Sequence, residues 1–79
     1  MVFRIRNFGN DAECFSIDEL KQSLSTIYSG QSVTIEYRSR CGLLKTKHVD
    51  ISDAGIMTNS YGLNEIISYE DLANDIQIP

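Results

Sequence analysis

The chain has 79 residues, of which 42% are hydrophobic and 23% charged, with a formal net charge of −4 at pH 7. That length suits one domain with one core, spanning residues 1–79, and excludes two; the balanced composition excludes wholesale disorder. No apolar run approaches the roughly 20 residues that a bilayer-spanning helix needs, and the opening Met1-Val2-Phe3-Arg4-Ile5-Arg6 lacks the long apolar stretch of a secretory leader, so a cytoplasmic location is expected.

Val2 to Arg6 alternates enough to predict a short first strand over residues 2–6. Asn7 to Glu13, with Gly9, Asn10 and Asp11, reads as a loop. Ser16 followed three positions later by Glu19 is a capping box, with Phe15 and Leu20 placed as a hydrophobic staple around it. Ile17, Leu20, Leu24, Ile27 and Tyr28 then form one apolar stripe, and Gly30 supplies a stop. A helix from Ile17 to Tyr28, with its caps over 16–29, follows.

After Gly30 the period changes to two. Val33, Ile35 and Tyr37 alternate with Thr34, Glu36 and Arg38, as in a half-buried strand. Ser39 to Gly42 makes a turn, and Leu43 to Ile51 returns as a second strand. Here Val49 and Ile51 share parity with Lys45 and Lys47, so one face is both apolar and charged; a bulge near Lys47 or His48 would resolve this. A turn over 52–55, a strand over 56–59, a turn over 60–64 and a strand over 65–68 come next. Tyr69 to Asn74 makes one helical turn, and Asp75 to Ile78 a closing strand blunted by Pro79. The expected architecture is α+β: a helix capping a small, strongly bent, five-stranded antiparallel barrel over residues 32–78, with an extra N-terminal strand.

This arrangement resembles the Sm-like barrel. Val33-Thr34-Ile35-Glu36-Tyr37-Arg38-Ser39-Arg40-Cys41-Gly42, continuing through Lys45 to Asp50, resembles the opening of WYL domains, which sit in bacterial transcription regulators. That resemblance implies small-molecule sensing or nucleic-acid binding. In length, acidity and element order the chain also resembles Rof, a small Sm-like protein that binds the transcription terminator Rho and blocks its access to RNA. What this implies is a non-enzymatic barrel that acts by occupying another protein's surface.

Little in the sequence points to catalysis. His48 is the one histidine; with Asp50 and Asp53 it can be drawn as a metal ligand. Strand geometry makes His48 and Asp50 neighbours on one face, but nothing supplies a third and fourth ligand to match that pair, and no metal or cofactor is expected. Cys14 and Cys41 form no CxxC pair and lack an identifiable base; one disulfide is arithmetically possible, but a reducing compartment predicts two free thiols, with Cys41 in the turn the more exposed. The carboxylate pairs Asp18/Glu19 and Glu70/Asp71 read as surface positions.

Charge is distributed unevenly. All seven basic residues (Arg4, Arg6, Lys21, Arg38, Arg40, Lys45, Lys47) precede Val49, and from there on stand six acids and no base. Segregation of these segments would give a basic edge and an acidic face. Glu65, Glu70, Asp71 and Asp75, with Tyr61 and Tyr69 as aromatic anchors, are the candidate surface for a protein partner. They would present a phosphate-like array to the basic groove of a transcription, termination or defence protein, as a regulator or a phage-encoded inhibitor would. Arg38, Arg40, Lys45, Lys47 and His48 are the alternative, an RNA- or DNA-binding hairpin. Self-association through sheet edges is a further expectation left open.

Overall fold

The computed structural model describes residues 3–61 and 65–76. Its elements are β1 (Phe3–Arg6), β2 (Ala12–Cys14), α1 (Ile17–Thr26), β3 (Ser32–Arg38), β4 (Leu44–Ile51), β5 (Met57–Asn59), β6 (Ile66–Ile67) and α2 (Tyr69–Asp75). The strands form one antiparallel sheet in the order β2-β1-β3-β4-β5-β6. One face carries the core. Phe3, Ile5, Val33, Ile35, Tyr37, Val49, Ile51 and Met57 cluster there with Leu20, Leu24 and Tyr28 from the α1 segment and Leu72 from α2. Among the described residues no helix is long and apolar enough to cross a membrane.

The capping signal of α1 is present in modified form. Ser16 Oγ accepts the Glu19 N–H at 3.1 Å, whereas the Glu19 carboxylate accepts from the Phe15 N–H at 2.7 Å, one residue ahead of the cap itself. The staple pairing is not seen in the burial of its members: Leu20 is buried but Phe15 remains 60% exposed. The polar clasp holds the chain entry instead. The helix ends at Thr26, two residues short of the expected Tyr28, where the Ile27 and Tyr28 amides both donate to Ser23 O. Gly30, at φ +73°, turns the chain into β3.

The expected loop over Asn7–Glu13 holds a strand. Phe8 (φ 51°) and Gly9 (φ 89°) both lie at positive φ, and the Asn10 N–H donates to Asn7 O at 2.9 Å, the signature of a type I′ hairpin turn. The chain returns to pair Ile5 with Ala12 and Phe3 with Cys14, which buries the Cys14 side chain. Three residues are too few for a periodic signal, and phenylalanine stands where asparagine usually announces this turn.

The expected bulge in the second strand is absent. Pairing runs without a break from Ser32↔Asp50 to Arg38↔Leu44. Lys45 and Lys47 therefore stay on the face of their partners Tyr37 and Ile35. What makes this tolerable is α2, whose Asp75 meets Lys45 at 3.0 Å at that end of the sheet.

The architecture differs from the expected five-stranded barrel: six strands form one sheet that is unclosed among the described residues. Each strand has two edges, and those of β3 are taken by β4 and, over Thr34–Tyr37, by β1. On β3 a returning strand meets an open edge only beyond Arg38. There Ile76 makes a single antiparallel bridge to Ser39, and the Arg40 N–H donates to Asp75 O at 2.8 Å. Asp75 itself belongs to α2, and residues 77 and 78, the rest of the expected closing strand, lie outside the described residues.

At the junction of α1 with the β4–β5 connection, Gly55 (φ +82°) is buried against Ser25, whose Oγ a Cβ at position 55 would overlap. The helix can lie this close only because that position has no side chain.

Candidate interaction surfaces

Strand alternation decides where the basic hairpin residues go. Residues paired directly across an antiparallel ladder project to the same face. Lys45 and Lys47 pair with buried Tyr37 and Ile35, so they line the core side of the sheet. Arg38 and His48 pair with Leu44 and Thr34 and lie on the outer side. Arg38 donates to Gly42 O at 2.8 Å, bracing the turn, and Arg40 sits exposed in that turn. The five bases do not form one patch.

The acidic residues and two of these lysines share a groove of about 340 Å³ at the α2 end, walled by Glu65, Asp71 and Asp75 on one side and Lys45 and Lys47 on the other. Asp75 is committed there: one carboxylate oxygen accepts from Tyr37 Oη at 2.8 Å and from Lys45 Nζ at 3.0 Å. The hydrogen bond from Tyr37, then that from Lys45, holds the Asp75 carboxyl below the usual carboxylate range. Burial, reinforced by Asp75, pushes the Tyr37 phenol up. Thus the expected basic edge and acidic face meet and partly neutralise each other rather than standing apart.

Glu70 and Asp71 are exposed on the first turn of α2, where their amides donate to Ser68 Oγ at 3.1 and 3.4 Å. Glu65 is exposed beside them in sequence and accepts from Asn59 Nδ2 at 3.3 Å. Of the two candidate aromatic anchors, Tyr69 is half-buried, its hydroxyl donating to Gly55 O at 2.7 Å and its ring lying 5.7 Å below Lys21 Nζ. Burial raises its phenol pKa. Tyr69 is a structural strut, whereas Tyr61 is 83% exposed and free to make contacts.

The outer face of the sheet forms a larger open groove of about 860 Å³, lined by residues outside both candidate sets except His48 and Tyr61. Its floor is polar. Thr34 Oγ1 and His48 Nδ1 are hydrogen-bonded at 2.9 Å, and Asp50 Oδ1 accepts from Ser32 Oγ at 2.5 Å and Ser60 Oγ at 3.0 Å. Those two hydroxyls hold the Asp50 carboxyl below its ordinary range. The Tyr61 ring stands edge-on to His48, centroids 5.4 Å apart at 83°, on one rim, and fully exposed Phe8 lies on the other. The polar half of the β3 and β4 alternation held the signal for this floor; its aromatic rims come from turns and have no periodicity to reveal them.

His48 and Asp50 share a face as their spacing requires, but among the described residues no group of three or more His, Cys, Asp or Glu side chains is placed to hold a metal ion. Cys41 is exposed, with its thiol pKa lowered chiefly by the hydrogen bond to Ser39 Oγ at 3.2 Å. Cys14 is buried, and that burial pushes its thiol up. No protein-family model, curated protein or solved structure matches the chain.

Proposed function

We propose that this protein is a non-enzymatic regulator or inhibitor that works by protein–protein contact, and that its partner presents a basic surface of the kind nucleic-acid-handling proteins carry. The observation that supports the reading is that exposed acids gather near the start of α2 while the hairpin bases are dispersed. Glu65, Glu70 and Asp71 are exposed around the start of α2, while the hairpin bases are split between two faces of the sheet and Lys45 is occupied by Asp75. A compact phosphate-binding patch needs its cations together. An acidic surface needs only exposed carboxylates, and it attracts a basic partner in a salt-dependent way. The resemblance to Rof supports the same class of behaviour.

The test uses the full chain, immobilised and exposed to extract of its own host at low and high salt. A partner retained at low salt should be released at high salt and should be lost from the Glu70→Lys/Asp71→Lys variant, while Arg40→Glu leaves it in place. Parallel gel-shift titrations with RNA and DNA oligonucleotides should show no retention. Retention of an oligonucleotide that Arg40→Glu abolishes would overturn the reading in favour of direct nucleic-acid binding.

A further inference from the structure

We infer that the open groove on the outer face of the sheet is a docking site for an extended, arginine- or lysine-bearing segment of a protein partner. The inference rests on the protein-contact reading above but moves the contact to a different surface. A polar sheet face with an exposed aromatic on each rim offers a partner apolar area to bury on both sides of a polar floor. Phe8 is fully exposed and Tyr61 is 83% exposed. Both stand at turns, so neither is fixed there by a demand of the core.

Charge selects the occupant. The groove is lined by three carboxylates, Asp11, Glu36 and Asp50, against one guanidinium, that of Arg6. Arg6 already pairs with Glu36 at 3.8 Å, and among the described residues no cation lies within ion-pair distance of Asp11 or Asp50. Asp50 uses Oδ1 for both serine hydroxyls, which fixes the carboxylate and leaves Oδ2 pointing to no protein donor among the described residues. A guanidinium or ammonium group entering here would meet a pre-oriented carboxylate in the same groove as an aromatic rim. That combination suits charge-assisted hydrogen bonding and cation–π contact together. Phosphate would meet the same carboxylates as repulsion, so a nucleic acid is the disfavoured occupant.

The experiment titrates the full chain, labelled with ¹⁵N, with a nona-arginine peptide and separately with a twelve-residue thymidine oligonucleotide. The peptide should shift the amide resonances of Thr34, Thr46, His48 and Tyr61. Asp50→Asn, which keeps an oxygen acceptor for the two serines, and Tyr61→Ala should each weaken binding by about fivefold or more. Diffuse attraction to the net charge would be hit harder by the double reversal Glu70→Lys/Asp71→Lys than by Asp50→Asn, whereas groove binding gives the reverse order. Shifts confined to α2, an unchanged affinity in Asp50→Asn, or groove shifts produced by the oligonucleotide in place of the peptide would each overturn the site. Loss of host-partner capture on reversing the α2 acids, with the groove silent, would retain the protein-contact reading while removing this one.

Discussion

Phe8 shows how much one turn residue hides. With Gly9 it supplies the two positive φ angles of the β1–β2 turn, a conformation that asparagine adopts readily and a phenylalanine only at a cost of about 1 kcal/mol. Its ring recovers none of that cost, because it is fully exposed. Phe8→Asn should therefore raise stability by about 0.5–1 kcal/mol, read as a higher urea midpoint at unchanged slope. The same variant should weaken nona-arginine binding, since it removes one rim of the outer groove. A variant that is less stable than the parent would mean that the ring packs on something and that the strain argument is wrong. Phe8 also hides the hairpin in the sequence: Asn7-Phe8-Gly9-Asn10 carries the glycine of a turn but not the asparagine directly ahead of it that marks the I′ type.

At the scale of elements, legibility followed the strength of the local code. Ser16 and Glu19 marked the start of α1, and Val33, Ile35 and Tyr37 marked β3, because a cap and a two-residue period are written within a few residues. β2 has three residues and β6 two, too few for any period to show. The second helix lies between these cases. Seven residues long, it is too short to hold itself in water and depends on its cap and on the burial of Leu72. Ser68 Oγ accepts from both the Glu70 and Asp71 amides, and the two carboxylates complement the positive end of the helix. Ser68→Ala should cost about 1 kcal/mol. Hydrogen exchange should locate the loss, with amides of α2 losing protection before those of β3 and β4. Uniform loss across the sheet would instead tie α2 to the global unfolding unit.

For the whole molecule, the decisive contacts join residues that no local pattern connects. The parity of Lys45 and Lys47 with Val49 and Ile51 was correctly legible, but it looked like a contradiction that only a bulge could remove. It is resolved by Asp75, thirty positions from Lys45, which docks on Lys45 and on the Tyr37 hydroxyl and ties the last helix to the central hairpin. The same docking explains why the candidate acidic and basic surfaces, distinct in sequence, are not distinct in space. It also makes a pH dependence. Asp75 has a folded-state pKa held below that of an unfolded aspartate, about 3.9. Its contribution to stability is therefore fully present above about pH 4 and is lost as pH falls through the lower folded value. Asp75→Asn keeps an acceptor for Tyr37 but removes the charge facing Lys45. Urea midpoints of the parent and this variant should differ at neutral pH, with the parent the more stable, and should converge on acidification as the parent's carboxylate takes up its proton. A gap that persists undiminished at about pH 2 would show that shape or hydrogen bonding, and not charge, holds α2 to the sheet.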